Sequence, residues 1–265
     1  MNPILAEQVT MLMRAVAKDI VLPRFQQLAS EDIAEKAPGD IVTIVDHASE
    51  ERIAEGLTKL LPEARIVGEE GAAENPELLE TLDRGMIWLI DPLDGTSNFA
   101  EGRAPFALMI ALLADSEAQA GWIFDPLTPR ICYAARGQGA YLNGERIASH
   151  TSPHSQPLAA LGLHFMDEDR QQAFANRADG TLTIVPIPRC AGEQYPRVAL
   201  GQNDIALFAK SYPYDHAAGV LFLEEAGGKT AWPDGDAYSV ARRDPDLLSA
   251  ATPELWDWAA EILFG

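Results

Sequence analysis

The chain has 265 residues, 47% of them hydrophobic, and its 40 acidic and 20 basic side chains give a formal net charge of −20. This length and composition predict one large domain or two closely associated ones and disfavour disorder. The acidic balance disfavours binding to a nucleic-acid backbone, which needs a basic surface, so we expect no nucleic-acid partner. The same negative charge is compatible with binding a phosphate-bearing small molecule if metal ions neutralise the binding site.

Cysteine content and apolar runs predict the compartment. The only cysteines, Cys132 and Cys190, lack metal-ligand spacing, which favours two reduced, mostly buried thiols in a cytosolic protein. The N-terminal segment alternates apolar and polar residues at helical spacing and lacks the pattern of a signal peptide. No apolar run is long enough to span a bilayer. We therefore expect a cytoplasmic protein without a membrane partner.

The first half of the chain predicts helices followed by strands. Residues 3–29 have the spacing of a long amphipathic helix with a bend near Pro23. A β-branched run at 41–45 predicts a strand, and Asp46 after it is a candidate N-cap of the next helix. Further strands are predicted at 64–71, 86–90, 105–114, 119–125 and 130–135, with a tight hairpin at Asn143-Gly144.

The second half alternates strand and helix patterns. Residues 149–157 are the best linker in the chain, and we place a domain boundary near residue 153, between domains 1–152 and 153–265. Predicted strands are 158–163, 182–187 and 204–208, and predicted helices are 167–177, 192–201, 215–227 and 253–263. The fold class is therefore α/β, with an α+β N-terminal half and an α/β C-terminal half.

An apolar strand delivers two aspartates into the turn DPLDG. Asp91 and Asp94 stand three positions apart, Pro92 stiffens the turn, and the Leu93 carbonyl is a further oxygen ligand. Gly95 allows close approach of the backbone, and a helix beginning at Thr96 would direct free amides to the same place. The pattern suits Mg²⁺ ions beside a phosphate, although an isolated turn of this composition is equally consistent with a plain turn.

Acids at the ends of other segments favour the metal interpretation. Asp46 closes one strand, Glu69 and Glu70 close another, and Asp215 opens a helix, where it is also a candidate N-cap. Acids at the ends of four segments predict convergence on one pocket.

With these residues the chain resembles the inositol monophosphatase family, the metal-dependent phosphomonoesterases related to fructose bisphosphatases and bisphosphate nucleotidases. The resemblance runs from about residue 5 to 262. It rests on KAPGDIVTIVD (36–46), VGEEG (67–71), DPLDGTSNF (91–99), DPLTPRICYAARGQGAYLNG (125–144) and YPYDHAAGVLFLEEAGG (212–228). It implies a layered αβαβα, sugar-phosphatase-like fold, two or three Mg²⁺ ions, lithium sensitivity and a homodimer.

The resemblance also implies roles for matching residues. Glu69, Asp91 and the Leu93 carbonyl match ligands of the first ion, and Asp91, Asp94 and Asp215 match ligands of the second. Glu69 also matches a residue that holds a third ion or the nucleophilic water, and Thr96, backed by Asp46, matches the pair that polarises that water. The amides of Gly95 and Thr96 would hold the phosphate, and Lys36 matches a lysine near the entry of the site.

Two departures concern the leaving-group pocket. Arg189 and Glu193 stand where small or hydroxyl residues are common in the family, and Phe208 replaces a glutamate of inositol-cleaving members. Together with Lys210, these residues are our candidates for substrate specificity, although Phe208 is equally consistent with strand core.

The sequence predicts a Mg²⁺-dependent phosphomonoesterase acting on a small phosphorylated polyol, sugar or related metabolite, by in-line attack of metal-activated water. A bisphosphate nucleotidase or sugar bisphosphatase is the alternative, and a non-catalytic regulatory or binding protein that keeps the fold is the alternative from another class.

Overall fold

The computed structural model describes residues 2–37 and 40–265, so Pro38 and Gly39 of the block 36–46 lie outside the described residues. Two sheets alternate with three helical layers in the described part of the chain. The helices are α1 (Pro3–Val16), α2 (Leu22–Arg24), α3 (Ile44–Leu60), α4 (Glu69–Glu74), α5 (Thr96–Ala100), α6 (Glu168–Ala178), α7 (Ala191–Ala199), α8 (Pro213–Ala226) and α9 (Pro253–Phe264).

The first sheet has seven strands in the order β3-β4-β5-β6-β7-β8-β9 among the described residues. Strands β3 and β4 are parallel and every later pair is antiparallel, as expected for strands joined by short turns. The strands are β3 (Arg65–Gly68), β4 (Met86–Asp94), β5 (Ala107–Ala114), β6 (Glu117–Asp125), β7 (Arg130–Ala135), β8 (Gly139–Leu142) and β9 (Glu145–Ile147).

The second sheet has five strands in the order β11-β10-β12-β14-β13 over residues 158–250. Strand β10 is parallel to both of its neighbours, β11 and β12. Strand β14 is antiparallel to both of its neighbours, β12 and β13. The strands are β10 (Leu158–Leu161), β11 (Thr183–Val185), β12 (Ile205–Phe208), β13 (Lys229–Ala231) and β14 (Leu247–Ala250). The sequence analysis did not predict β13 and β14, which are short.

A separate antiparallel hairpin precedes the first sheet. It pairs β1 (Ile33–Ala37) with β2 (Asp40–Thr43). It places Lys36 beside Glu69, where β3 ends, and Ile41 in the wall of the same cavity as Glu69 and Asp91.

Strand alternation produces the layers. In β4, Trp88 and Ile90 face a core that includes α1 and α3, whereas Ile87 and Leu89 face a core that includes α7 and α8. The other face of the second sheet packs on α6 and α9, with Phe174 and Trp256 in that core. The order of layers is α1/α3, first sheet, α7/α8, second sheet, α6/α9. This arrangement confirms the αβαβα fold predicted from the sequence.

Two glycines allow the middle helices to approach their neighbours. A Cβ on Gly121 of β6 would lie 2.8 Å from the Cα of Ala218, so α8 lies directly on the sheet. A Cβ on Gly219 would lie 2.0 Å from the ring of Tyr195, so α7 and α8 pack equally closely. Helix α8, which carries Asp215, is therefore held between the two sheets.

Several predicted boundaries need correction. The first helix ends at Arg24 rather than at residue 29, and a π-helical turn, Ala17–Val21, interrupts it before Pro23. Helix α3 begins at Ile44 with Thr43 as its N-cap, so Asp46 lies in the first turn. Similarly, α8 has Tyr212 as its N-cap. Neither Asp46 nor Asp215 is therefore an N-cap, which was the alternative interpretation of both acids: Asp46 is the third residue of α3 and forms a capping box with Thr43, and Asp215 lies in the first turn of α8.

No helix in residues 2–37 and 40–265 combines the length and apolar character required to cross a membrane.

Candidate active site

Strand register brings the first two acids together. Parallel strands β3 and β4 pair Gly68 with Ile90, so the following residues, Glu69 and Asp91, are neighbours at one edge of the sheet. Asp91 is 1% exposed, whereas Glu69 is half-buried at the cavity surface. The sequence predicted that both strands end in acids, and the parallel register makes those ends coincide.

Glu50, which the sequence analysis missed, fixes the start of α4. Its two carboxylate oxygens each accept a hydrogen bond of 2.8 Å, from the backbone amides of Glu70 and Gly71. A Cβ on Gly68 would lie 2.2 Å from the Glu50 carboxyl carbon, so a larger residue before Glu69 would displace the Glu50 carboxylate from these amides. Glu50 lies 18 or more positions from these residues in another helix, and no local sequence signal identifies it.

The turn after Asp91 is held by its own polar atoms. The Leu93 amide donates to Oδ1 of Asp91 over 3.0 Å, and the Leu93 carbonyl lies 2.9 Å from Oγ1 of Thr96. Gly95 has φ +85°, in the left-handed region that favours glycine, and it is the N-cap of α5. A Cβ there would also lie 3.0 Å from the Pro105 carbonyl oxygen. Asp94, Gly95 and Thr96 of this turn line the cavity.

Asp46 links the turn to α3. Its Oδ2 accepts hydrogen bonds from the amide and hydroxyl of Thr43, and its Oδ1 lies 3.0 Å from Oγ1 of Thr96. Burial raises the pKa of Asp46 to about 6, although the bonds from Thr43 oppose this increase. The structure thus brings Asp46 and Thr96 into the pair predicted from the sequence.

Asp215 reaches the same place from α8. Single carboxylate oxygens of Glu69, Asp91 and Asp215 all lie within 4.8 Å of one another. Three carboxylates at this spacing are a donor set for a hard cation, which prefers oxygen ligands. Among the described residues, this group does not include Asp94.

Asp94 points to α7 instead. Its Oδ2 accepts a bond of 2.5 Å from the Gly192 amide and lies 3.0 Å from Sγ of Cys190. These donors hold Asp94 beside the other acids and leave its Oδ1 without a side-chain hydrogen bond in the described part of the chain.

The buried acids repel one another. Burial first, and then neighbouring carboxylates, raise the pKa values of Asp91 and Asp215 well above their usual range. The same causes raise the pKa of Glu69 to about 7, against the nearby charge of Lys36. Because each group favours its protonated form here, a bound cation would relieve a real electrostatic cost.

Lys36 supplies one positive charge beside the acid cluster. Its Nζ lies 2.9 Å from Oε1 of Glu69 and 3.1 Å from Oε1 of Glu70. Burial acts to lower the pKa of Lys36, but the two carboxylates outweigh burial and raise it. Glu70 is 3% exposed and binds Lys36, so it supports the acid cluster without belonging to it.

A cavity of about 220 Å³ opens beside these acids. Its walls come from both sheets and from α7 and α8, and Arg189, Phe208 and Lys210 all line it together with Gly95 and Thr96. Phe208 also packs on Tyr195 and His216, with ring centroids 4.9 and 4.8 Å apart, so it serves the core as well as the cavity wall.

Glu193 does not line this cavity. Its carboxylate binds Nη2 of Arg130 at 2.5 Å and Nε of Arg197 at 2.7 Å. The sequence analysis also missed Gln194 and Phe165 in the cavity wall. His216 is 2% exposed, lies between the Tyr195 hydroxyl and the Lys210 carbonyl, and has its pKa lowered to about 4 by burial, so it is a neutral packing residue.

A five-layer αβαβα fold with acids converging at the edge of its first sheet is the architecture of a class of phosphatases. The chain belongs to the inositol monophosphatase family, whose sequence profile matches residues 5–263. It is 32% identical over 214 residues to the fructose-1,6-bisphosphatase/inositol-1-monophosphatase of Aquifex aeolicus, covering 79% of this chain and 78% of that protein.

Two further similarities extend the comparison. The chain is 30% identical over 216 residues to the Nus factor SuhB of Escherichia coli, covering 80% of this chain and 79% of that protein. The crystal structure of the extragenic suppressor protein SuhB from Bartonella henselae superposes with a TM-score of 0.84 at 22% identity, covering 98% of each chain. The last similarity concerns the fold alone.

Proposed function

We propose that the chain is a Mg²⁺-dependent phosphomonoesterase that hydrolyses a small phosphorylated polyol, sugar or related metabolite. The observation that carries the proposal is the convergence of Glu69, Asp91 and Asp215 within 4.8 Å beside a cavity. The sequence had identified each acid separately, from the end of a different segment. Mg²⁺ is usually bound by one or two carboxylates together with substrate phosphates, and three carboxylates converge here.

The acids present fit a hard cation. Glu69, Asp91 and the Leu93 carbonyl would hold one ion, and Asp91, Asp94 and Asp215 would hold a second, with Asp91 shared. Glu69 has a further oxygen for a third ion. The raised pKa values of Asp91 and Asp215 support this assignment, because such groups need positive charge to stay ionised at neutral pH. Bound Mg²⁺ would lower the pKa of a coordinated water and neutralise the phosphate.

The protein groups around the ions would orient the reaction. Thr96, bonded to Asp46, would accept or pass on a proton of the attacking water, and Glu69 would hold that water from the other side. The amides of Gly95 and Thr96 would donate to phosphate oxygens, where negative charge grows in the transition state. The reaction then requires no covalent intermediate, and no cysteine or histidine takes part.

Other properties of the proposal come from the sequence patterns and from the family resemblance. We propose a domain division near residue 153, which separates the first sheet from the second. We also propose a cytoplasmic homodimer that lithium inhibits by taking a Mg²⁺ place among Asp91, Asp94 and Asp215. Undiminished turnover at high lithium would contradict only that detail.

Phosphate release from a substrate panel tests the proposal. The panel contains inositol phosphates, sugar phosphates and bisphosphates, nucleotide phosphates and histidinol phosphate, each with Mg²⁺ and with EDTA. We expect Mg²⁺-dependent release that the substitution Asp94→Asn abolishes in a folded protein. The absence of release from every phosphate by the Mg²⁺-loaded wild type would overturn the proposal.

A bisphosphate substrate is the second candidate within this class. Arg189 and Lys210 line the cavity, and neither forms an ion pair within residues 2–37 and 40–265. The Nζ of Lys210 lies 5.0 Å above the Phe165 ring instead. If these cations bind a second phosphate, Lys210→Ala will lower kcat/KM for bisphosphates and leave that for monophosphates unchanged.

A non-catalytic role is the candidate from another class. Its support is the similarity to a relative named Nus factor SuhB. The substitution Asp94→Asn distinguishes the two roles. Partner binding that does not use the acid cluster will survive this change, whereas turnover will not.

A further inference from the structure

Helix α3 supports the acid cluster at two points. Asp46 and Glu50 are four positions apart and therefore lie on one face of this helix. Asp46 binds the Thr96 hydroxyl, and Glu50 accepts hydrogen bonds from the backbone amides of Glu70 and Gly71. The first contact has a part in the proposed reaction, and the second acts on the segment that carries a metal ligand.

Glu50 holds the start of α4. This helix has six residues, and its N-cap, Gly68, has no side chain to accept a bond from the free amides. Helices of this length are marginal without tertiary contacts. The two carboxylate oxygens of Glu50 each bind one of these amides over 2.8 Å, and the helix dipole favours a negative charge at this end. Glu50 therefore supplies, from another helix, the cap that the residues before α4 lack.

Glu69 is the first residue of α4 and lies between two fixed points of the main chain. Before it, the parallel register holds the end of β3 against β4. After it, the next two amides are bound to Glu50. The main chain of Glu69 is thus fixed from both sides, and from this position its carboxylate meets those of Asp91 and Asp215.

Glycine at position 68 leaves the space that the Glu50 carboxylate occupies. A Cβ on Gly68 would overlap the carboxyl group of Glu50. Gly68 itself has φ −105° and ψ 164°, which is extended backbone that any residue adopts. An alanine at this position would therefore act by displacing Glu50 and not through backbone strain.

We propose that Glu50 is a positioning residue that sets the affinity of the acid cluster for Mg²⁺, by fixing Glu69 through the start of α4. This inference rests on the proposed function, in which Glu69 binds the cation. Removing a group that orients a metal ligand typically lowers metal affinity or activity about 10- to 100-fold. A cap with a structural role alone would change the stability of the metal-free protein and leave the Mg²⁺ affinity unchanged.

The first test compares the Mg²⁺ dependence of phosphate release in wild type, Glu50→Ala, Glu50→Gln and Gly68→Ala. We expect the Mg²⁺ concentration for half-maximal activity to rise about 10-fold or more in Glu50→Ala. Glu50→Gln should lie between wild type and Glu50→Ala, because its carboxamide keeps one acceptor and turns a donor toward the other amide. Gly68→Ala keeps the charge of Glu50, so its effect measures geometry rather than loss of charge.

The effect should appear in metal affinity rather than in the chemical step. At saturating Mg²⁺, kcat and KM for the phosphate ester should stay within about threefold of wild type, because the bound cation restores the position of Glu69. Glu51→Gln is the matched control, since it neutralises an exposed acid at the next position of α3. Its Mg²⁺ dependence should stay within about twofold of wild type, because an exposed charge is screened by solvent.

A double-mutant cycle tests whether Gly68→Ala acts through Glu50. Glu50→Ala removes the atoms that a Cβ at position 68 would meet. Gly68→Ala should therefore raise the half-saturating Mg²⁺ concentration in wild type and have no further effect in Glu50→Ala. Additive effects of the two substitutions would contradict this path of action.

Mg²⁺ binding is also measured without turnover, from the rise in melting temperature when Mg²⁺ alone is added to each metal-free protein. The Mg²⁺ concentration needed for a given rise should increase from wild type through Glu50→Gln to Glu50→Ala. If Glu50→Ala does not fold, Glu50→Gln and Gly68→Ala give the same comparison. Lower stability in EDTA with unchanged Mg²⁺ dependence would make Glu50 a structural cap and overturn the proposal.

The outcomes separate this proposal from the proposed function. A wild-type affinity for Mg²⁺ in both Glu50→Gln and Gly68→Ala overturns the role of Glu50 and leaves the phosphatase function intact. If Mg²⁺ stabilises the wild type but no substrate releases phosphate, the phosphatase function fails and the melting measurements decide on Glu50. A wild type that Mg²⁺ does not stabilise overturns both.

Discussion

Oγ1 of Thr96 lies 3.0 Å from Oδ1 of Asp46, a residue 50 positions earlier in the chain. The contact joins the first turn of α3 to the first turn of α5. Since Thr43 donates to the other oxygen of Asp46, the carboxylate is fixed on both sides. The Thr96 oxygen is therefore held in place at the cavity wall between Asp46 and the Leu93 carbonyl, as positioning a water requires.

Removing the Thr96 hydroxyl should strongly reduce turnover with little change in folding. Thr96→Val keeps the shape of the side chain, and we expect kcat to fall roughly 100-fold or more, the usual effect of losing a positioned proton-transfer group. Thr96→Ser keeps the hydroxyl and should retain most of the activity, so it is the matched control. Steady-state kinetics on the best panel substrate measures kcat of both variants. A kcat of Thr96→Val comparable to that of wild type would contradict a role for this hydroxyl.

Neutralising one acid of the cluster should stabilise the metal-free protein. In Asp91→Asn the amide oxygen can still accept from the Leu93 amide, while the repulsion from neighbouring carboxylates disappears. We expect a higher urea midpoint without metal, loss of stabilisation by Mg²⁺ and loss of activity. A lower midpoint in EDTA would show that the cluster is not under electrostatic strain.

Asp204 provides the comparison for that experiment. It is also buried, but its carboxylate accepts three hydrogen bonds, from the amide and hydroxyl of Ser152 and the amide of Leu158. Asp204→Asn turns an amide donor toward these donors and should lower the free energy of unfolding by about 1–3 kcal/mol. We therefore expect Asp91→Asn to raise the stability of the metal-free protein and Asp204→Asn to lower it. This difference distinguishes a ligand-binding acid from a structural one.

Stability of the metal-free protein should decrease as pH rises. Burial raises the pKa of Asp46 to about 6 and that of Glu69 to about 7, whereas both titrate near about 4 in the unfolded chain. Between about pH 4 and about pH 7 the native state thus binds more protons than the unfolded state, and its free energy of unfolding falls through that window. Urea unfolding in EDTA at several pH values measures this slope.

Stabilisation by Mg²⁺ should show the opposite trend, because the cation binds the ionised carboxylates. The shift in urea midpoint on adding Mg²⁺ should grow from about pH 5 to about pH 8. Asp46→Asn is the control for the metal-free slope, since removing one raised pKa should flatten it. A metal-free stability that increases over this window would contradict the assigned shifts.

Both cysteines should resist thiol reagents in the native protein. Cys132 and Cys190 are buried and unpaired. Burial raises the pKa of Cys132 to about 12, and burial with the adjacent Asp94 raises that of Cys190. The reactive thiolate is therefore scarce. Ellman's reagent should label neither thiol quickly in buffer and both in concentrated guanidinium chloride, and rapid native labelling of Cys190 in a Cys132→Ser variant would contradict its burial beside Asp94.

The sequence by itself determined which acidic residues are candidates for the site. The turn after β4 combines Pro92, Gly95 and Thr96 with two aspartates, and each residue type has a local backbone or ligand preference that can be read without the fold. The αβαβα order was implied by the family resemblance, and the alternation of apolar residues was sufficient to predict most strands. Short strands such as β13 and β14 were not predicted, because three or four residues are too few to establish an alternation of apolar and polar residues.

Only the tertiary structure decided how these residues meet. Parallel pairing of Gly68 with Ile90 makes Glu69 and Asp91 neighbours, and close packing of α8 on β6 brings in Asp215. Glu193 and Gln194 are adjacent in sequence, yet the first forms ion pairs with arginines and the second enters the cavity wall without a partner. Sequence pattern cannot separate them, because the direction of a helical side chain relative to a cavity depends on how its helix packs against the rest of the fold.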